Sequence, residues 1–375
     1  MNIGYDAKRA FLNNTGLGNY SRWLIKAMAT YYPDNSYWLY TPKIKDNRHL
    51  GSLQSLLNTK CVEPDNKFLS SWWRTKGIVK NLKSDEIQLY HGLSHELPLG
   101  IQQSGVKSVL TVHDLIFLRF PHYYGWINRT IYKVKIKYAC KAANRIVAIS
   151  QKTKNDLIEL LGVDAAKIEV VYQNCDRAFS LRQNDNYKTT VQKKYKLPKR
   201  FLLTVGTIEE RKNLLLLVKS LQYTRGNIPL VVVGKPTPYL DQVKAFIEQH
   251  QLGNRVTFLH EVSFDELPAI YQLATIFIYP SRYEGFGIPV LEALHSGTPV
   301  IAATGSCLEE AGGPDSVYVD PDNEHDLAKK INRVWNMPAL RQNMALKGFE
   351  YCHNFDDEKL AGQLMALYQN TLTHA

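Results

Sequence analysis

The sequence predicts an α/β protein carrying two doubly wound parallel sheets. Three observations predict it. Short β-rich runs alternate with helical stretches along the chain. Many of those runs are continuous Val, Ile and Leu, as strands covered on both faces require. The alternation breaks once, at the polar segment Phe179–Arg200. Strand–helix alternation builds a parallel sheet with helices on both sides, and 375 residues are too many for one ordinary core.

In the first half the expected strands are Asn2–Asp6, Tyr37–Thr41, Ile87–His91, Ser108–His113, Arg145–Ser150 and Ile168–Tyr172. In the second half they are Phe201–Gly206, Leu230–Gly234, Val256–Leu259, Thr275–Tyr279, Pro299–Ala302 and Val317–Val319. The break reads as a linker with a short helix, because RQNDNYKTT is polar and KKYKLPKR is basic. Domain one is therefore expected at 1–180 and domain two at 198–350, with a tail at about 351–375 whose apolar residues fall at helical spacing.

Bulk composition narrows the class. A hydrophobic fraction of 45% and a charged fraction of 22% are those of a soluble globular protein. Five scattered cysteines without CxxC spacing argue against a disulfide framework or a zinc site and for a reducing compartment. The opening MNIGYDAKRA is charged at once, so no signal peptide is expected, and no run is apolar enough to span a bilayer. The expected location is the cytoplasm. The net charge of +11 suits nucleic acid, anionic lipid or phosphorylated substrates, or simply a solubilising surface. No nucleic-acid recognition module is visible, so no nucleic-acid partner is expected.

The richest segment is Thr275–Ala303. A strand ends at Tyr279-Pro280, the loop Glu284-Gly285-Phe286-Gly287 follows, and Pro289 sits where a first-turn proline is tolerated. The helix runs to about Ser296, with Gly297 past its end. Backbone N–H groups of Phe286, Gly287 and Ile288 would then lie at a helix N-terminus beside a sheet's carboxyl edge, which suits an anion. Gly285 and Gly287 allow a close backbone approach. Glu284 and Glu292 flank this site, and they suit sugar and ribose hydroxyls better than phosphate; Glu292 alone could equally serve the helix dipole. In FLLTVGTIEERKNL a strand ends at Gly206, and Arg211 and Lys212 follow. A planar fork and a mobile point charge together suit a diphosphate.

Two stretches lack acidic residues. One, 119–145, carries Arg129, Lys133, Lys137 and Lys141 among Tyr124, Trp126, Tyr132 and Tyr138. The other, 66–83, carries Trp72, Trp73, Arg74 and Lys76. Basic residues beside Trp and Tyr suit an anionic membrane surface, or a phosphorylated acceptor, so a peripheral position on the inner face of the membrane is expected. Asp320-Pro321-Asp322 reads as a turn and N-cap before a helix at Asp326–Trp335, not as a metal motif. His91, His95, His260 and His295 lack ligand spacing and read as structural.

Five motifs together resemble the retaining glycosyltransferases of family 4. EGFGIPVLE matches that family's E-x7-E pattern at Glu284 and Glu292, and GTIEERKN resembles its donor-phosphate loop. TGLGNYSR at Thr15–Arg22, TVHD at Thr111–Asp114 and AISQKTKNDL at Ala148–Leu157 look like the same family. The resemblance implies a GT-B fold: two Rossmann-like domains facing a cleft, acceptor on the first, donor on the second, with the final helix crossing back to the first. It implies that Arg211 and Lys212 hold the donor diphosphate, that Glu284 contacts the transferred sugar, and that Glu292 binds the ribose. Gly16 and Gly18 would close over the phosphates, Gly206 would belong to the phosphate loop, and His113 would face the sugar. No cofactor or metal is implied, only a nucleotide-diphosphate sugar donor, and the anomeric configuration is retained. Many relatives carry an Arg after the loop glycine where this chain has Thr207, and this variant loop looks most like the family's bacterial mannosyltransferases, which use GDP-mannose. The expected acceptor is a glycan or lipid-linked saccharide in cell-surface polysaccharide synthesis. The competing readings are a GT-B epimerase, a phosphorylase, or a non-catalytic sugar-nucleotide binder. A dehydrogenase fits poorly, since TGLGNY lacks the third spaced glycine.

Overall fold

The computed structural model describes residues 1–44, 51, 53 and 55–373. The chain divides into two compact units. The first is Met1–Asn174 with Phe355–Ala375, and the second is Cys175–Asn354.

In the first unit, β1 (Asn2–Asp6), β2 (Ser36–Tyr40), β3 (Thr59–Val62), β4 (Leu89–Gly92), β5 (Lys107–Val112), β6 (Arg145–Ala148) and β7 (Ile168–Val170) form one sheet. Its order is β3-β2-β1-β4-β5-β6-β7, and every pairing is parallel. Strand β3 is absent from the strands read off the sequence. It is a four-residue edge strand, TKCV, without an apolar run. Central strands are buried throughout, as β4 and β5 show with Leu89, Tyr90, Val109, Leu110 and Val112. Each such large side chain contributes roughly 1.5–3 kcal/mol by leaving water.

In the second unit, β8 (Leu202–Val205), β9 (Leu230–Val233), β10 (Val256–Leu259), β11 (Ile276–Tyr279), β12 (Val300–Ala303) and β13 (Val317–Val319) take the order β10-β9-β8-β11-β12-β13, again all parallel. Numbered within its unit, this is 3-2-1-4-5-6, the order of dinucleotide-binding sheets. In each sheet the order of the strands reverses once, between β1 and β4 in the first and between β8 and β11 in the second. Ligands bind outside the strand ends at such reversals.

The segment expected as a linker belongs to the second unit. Its helix Asp185–Lys194 packs on the helix Leu267–Leu273. Lys194 Nζ and the Tyr195 hydroxyl both reach Glu266 at 2.7 Å, and Gln183 N–H donates to Gln272 Oε1 at 3.0 Å. The boundary therefore lies at Asn174/Cys175 rather than at 180, and a polar composition marks a solvated helix face rather than a free linker.

The final helix, Asp357–Thr373, packs on the helix Gly16–Tyr31 and on β5. It buries Leu360, Leu364 and Leu367, and polar contacts fix its register. Asp357 Oδ1 accepts from Trp23 Nε1 at 2.6 Å and from Asn174 Nδ2 at 2.9 Å, while the Tyr368 hydroxyl meets His91 Nδ1 at 2.7 Å. Residues 374–375 of the expected tail lie outside the described residues.

Candidate functional site

The second unit gathers its candidate residues at the β8/β11 reversal. Gly206 follows β8 with φ +141°, a backbone setting that side chains rarely adopt. A Cβ there would stand 2.6 Å from Lys212 Nζ, so glycine also makes room for that lysine. Arg211 and Lys212 lie in the single 3-10 turn Glu210–Lys212, and Asn213 follows at φ +59°, tied by its side-chain N–H to Pro321 O at 2.7 Å.

Arg211 is the hub. Its guanidinium donates to Glu284 Oε1 at 2.8 Å, to the Tyr283 carbonyl and to Glu209. Glu284 Oε1 also accepts from the Tyr279 hydroxyl and from Ser281 Oγ, each at 2.8 Å. Burial alone would raise the Glu284 pKa. Arg211, then Lys212, and these donors reverse that and hold it below the ordinary value, so Glu284 is a carboxylate. Lys212 Nζ sits over the Tyr279 ring at 5.5 Å.

The loop after Glu284 enters the helix Ile288–His295, with Pro289 in its first turn. Gly287 holds φ +118°, and a Cβ there would strike Leu308 at 2.8 Å. Gly297 follows the helix at φ +70°, the left-handed end that the sequence signals. Phe286 is buried at 2% exposure and precedes the N-cap Gly287, and Ile288 is the first helical residue. Cys307 was missed in the sequence. Its buried thiol donates to the Glu284 and Phe286 carbonyls at 3.0 Å each, fixing the loop's shape, and a lone cysteine some twenty residues away gives no signal of that. Glu292 accepts from the Tyr271 hydroxyl at 2.8 Å, and burial pushes its pKa up to about 7 against the lowering effects of Tyr271 and Lys212. The two glutamates of the motif are thus shifted in opposite directions.

Asp320 and Asp322 have other work. Asp320 accepts from the Asp322 N–H at 2.9 Å, closing the turn, and Asp322 pairs with Arg282. The N-cap of the following helix, Glu324–Asn336, is Asn323, whose side chain accepts from Asp326 N–H at 2.9 Å.

In the first unit, His113 follows β5 and is 5% exposed. Its Nε2 faces the Leu93 carbonyl at 2.9 Å, which places the ring proton there, and Thr153 Oγ1 donates to the His113 carbonyl at 3.2 Å. The Tyr20 ring packs edge-on at 4.6 Å. His95, read as structural, is the partner the sequence did not single out. It holds φ +63°, stacks on His113 at 5.4 Å, and its Nε2 accepts the His113 backbone N–H at 2.8 Å. Burial pushes His113 down to about 3 and His95 to about 4, so both rings are neutral.

Gly16 and Gly18 do not form a loop. They lie in the first turn of the helix Gly16–Tyr31, and the loop is Asn13–Thr15 before it. Asn13 Oδ1 takes the N–H groups of Thr15 and Gly18 and the Thr15 hydroxyl. A Cβ on Gly18 would stand 1.9 Å from the Asn13 carbonyl, whereas Gly16 faces open space.

The basic stretches are less bare than their sequence. Arg119 pairs with Asp156 and Glu159 at 2.6 Å each, and Lys135 with Glu96 at 3.1 Å. Trp73 is buried and donates to Asn81 Oδ1 at 2.8 Å, so it belongs to the core. Phe68, Leu69, Trp72 and Trp126 remain exposed. No described helix is long and apolar enough to cross a membrane.

Comparison with known proteins agrees with this geometry. The family model "Glycosyltransferase Family 4" matches residues 39–178 and "Glycosyl transferases group 1" matches residues 187–350. The chain is 28% identical over 271 residues to the O-antigen chain mannosyltransferase RfbU of Salmonella typhimurium, covering 72% of this chain and 71% of that one. It is 25% identical over 285 residues to the O-antigen chain mannosyltransferase B of Escherichia coli, covering 75% and 74%. Among solved structures, a glycosyltransferase from Rickettsia africae superposes with a TM-score of 0.77 at 17% identity, over 100% of this chain and 99% of that one. Anabaena Alr3699/HepE in complex with UDP and glucose gives 0.75 at 17%, over 99% and 100%. The fold is GT-B, and the chain belongs to the group 1 and family 4 glycosyltransferases.

Proposed function

We propose that this protein is a retaining, metal-independent hexosyltransferase that moves mannose from GDP-mannose onto a saccharide or lipid-linked saccharide in cell-surface polysaccharide synthesis. The observation that carries the reading is the Arg211 hub at the β8/β11 reversal, with Lys212 beside it and a helix N-terminus next in the chain. The relatives named as O-antigen mannosyltransferases support the sugar and the polymer.

In this reading the donor diphosphate lies against Lys212, Arg211 and the N–H groups of Phe286, Gly287 and Ile288. These groups neutralise the charge that grows on the leaving phosphate, the task a metal performs elsewhere. Glu284 Oε1 is taken by Arg211, Tyr279 and Ser281, and Oε2 accepts a hydroxyl of the transferred sugar. Glu292 accepts from the ribose. The bond from the anomeric carbon to the phosphate breaks as the bond to the acceptor oxygen forms on the same face. The acceptor's proton passes to the departing phosphate oxygen, so no side-chain base is required. His113, neutral and locked by Leu93, positions sugar rather than carrying the proton. The exposed Phe68, Leu69 and Trp72, with Lys67 and Lys76 beside them, rest on an anionic membrane surface.

A donor panel tests the reading. GDP-mannose should raise the melting temperature most, as a ligand of the native state does, and excess EDTA should leave transfer intact. A larger shift with UDP-glucose overturns the donor. An inverted anomeric centre in the first-formed product, seen by NMR, overturns the mechanism.

A further inference from the structure

The Asp320-Pro321-Asp322 turn takes no part in the transfer chemistry, yet it touches both segments that build the Arg211 hub. Asp320 Oδ1 accepts the Asp322 N–H at 2.9 Å, which fixes the turn. Pro321 then offers its carbonyl to Asn213, and Asp322 offers its carboxylate to Arg282.

The first of these contacts breaks a local rule. Asn213 stands at the N-cap of the helix Leu214–Ser220. An asparagine there usually accepts from an N–H two or three residues on. Asn213 makes no such bond. Its side-chain N–H goes to Pro321 O at 2.7 Å instead, and the residue is 5% exposed in the left-handed setting of φ +59°. Sequences depart from local preference in this way at sites with another task.

The second contact reaches the same turn from the other side. Arg282, paired with Asp322, donates its backbone N–H to Arg211 O at 2.9 Å. That carbonyl belongs to the peptide plane that enters Lys212. The trans peptide carries the Lys212 N–H on its opposite side, where it reaches Glu209 O at 3.0 Å. Lys212 is thus held on both flanks: Arg282 fixes the peptide before it, and Pro321 fixes the residue after it. A lysine ammonium rides on a flexible four-carbon stem, so its aim depends on the backbone beneath it. The Arg282 and Asp322 side chains are 32% and 71% exposed, and an ion pair so open to water adds little to stability. What it does is tie two loops of the site to one turn.

We propose that Asn213, Arg282 and Asp322 are positioning residues for the donor diphosphate: tied together by the Asp320–Asp322 turn, they aim Lys212 at it. This rests on the transferase reading and adds to it the residues that orient the phosphate-binding turn. The test titrates the full chain with inorganic diphosphate in the presence of EDTA, which probes the phosphate subsite apart from base and sugar, with steady-state kinetics alongside. Asn213→Gly removes the bond to Pro321 while glycine keeps the left-handed backbone, and it should weaken diphosphate binding about tenfold. Asp322→Ala should weaken it about two- to fivefold at an unchanged melting temperature. In both variants the KM for the donor should rise and the KM for the acceptor should not. Exchanging the pair, Arg282→Asp with Asp322→Arg, should restore the affinity that Asp322→Ala loses, which a role in folding alone would not do. Unchanged diphosphate affinity in both single variants overturns the proposal. So does an exchanged pair as weak as Asp322→Ala, or a loss confined to kcat. The two readings fail separately. If diphosphate binding ignores Arg211→Ala and Lys212→Ala, the transferase reading of this turn falls and the bracing with it. If binding depends on Lys212 but not on Asn213 or Asp322, only the bracing falls.

Discussion

The two units place their polar groups at equivalent reversals of near-identical sheets, yet they prepare opposite electrostatics. In the second unit Arg211, Lys212 and an ionised Glu284 present charge. In the first, His91, His95 and His113 are all pushed down, to about 3, 4 and 3, by burial. The neutral rings form a bonded system instead. His91 links the Tyr368 hydroxyl to Thr111 at 2.7 and 2.8 Å, Thr111 meets the Tyr20 hydroxyl at 3.0 Å, and Tyr20 packs on His113. One sheet scaffold therefore carries a charged cluster around Arg211 in one unit and a neutral cluster around His113 in the other, beside the paired charges of Asp6, Arg74 and Glu96, and the residues in the loops after each strand decide which. The charged edge suits phosphate. The neutral edge suits hydroxyl groups, whose hydrogen bonds do not depend on pH.

The charged edge should be the more fragile. Arg211→Ala removes the partner that keeps Glu284 ionised and the anchor of the Tyr283 carbonyl. We expect kcat/KM to fall about 10²–10³-fold and the fold to lose stability, since an unpaired buried carboxylate costs about 3–5 kcal/mol. Urea unfolding and steady-state kinetics read the two separately. Near wild-type turnover in a folded Arg211→Ala protein would remove the charged edge from the chemistry. Lys212→Ala is the sharper probe, because its ammonium has no carboxylate partner among the described ion pairs. Stability should hold while kcat/KM drops about 10–100-fold, one charge-assisted contact of about 1.5–3 kcal/mol.

Most of this division was legible in the sequence, and the failures have physical causes. Twelve strands, the loop after β8 and the Ile288–His295 helix come from apolar runs, glycines and Pro289, all local signals. Strand β3 has no such run. His95 and Cys307 act through contacts that depend on the folded path. The linker misled, and the acid-free stretches are less bare than they read, because composition along the chain says nothing of partners across it: Glu266 captures Lys194, Asp156 and Glu159 capture Arg119. Trp73 and Trp72, adjacent in sequence, end up in core and solvent respectively.

A smaller effect separates the units' surfaces. Phe68, Leu69 and Trp72 stand exposed on the first unit beside Lys67 and Lys76. Phe68→Asp with Trp72→Ala should reduce partition onto phosphatidylglycerol vesicles about tenfold or more, and salt should weaken the wild-type binding, since exposed charges are screened. Soluble-donor kinetics should not change. Equal recovery of wild type and variant with vesicles would mean these side chains meet something other than lipid.

The smallest expected effect is in pH, and it tests the contrast most directly. Between pH 6 and 8 His91, His95 and His113 do not titrate, since burial pushes them down to about 3, 4 and 3. Glu292 does, because burial raises it to about 7 against the partial relief from Tyr271 and Lys212. A ribose-binding carboxylate gains affinity as it ionises, so KM for the donor should fall as pH rises through 7, by less than about tenfold for one group titrating across that range. Stability runs the other way. A carboxyl with a folded pKa above its unfolded one favours the fold when protonated, so this group's stabilising contribution is present at low pH and lost as pH rises to 7. Donor binding and stability should therefore move in opposite directions over the same interval. Glu292→Gln should flatten both profiles, and His113→Asn should leave their shapes unchanged while lowering turnover. A KM profile that His113→Asn flattens and Glu292→Gln does not would place the titrating group in the first unit and reverse the assignment of charged and neutral edges.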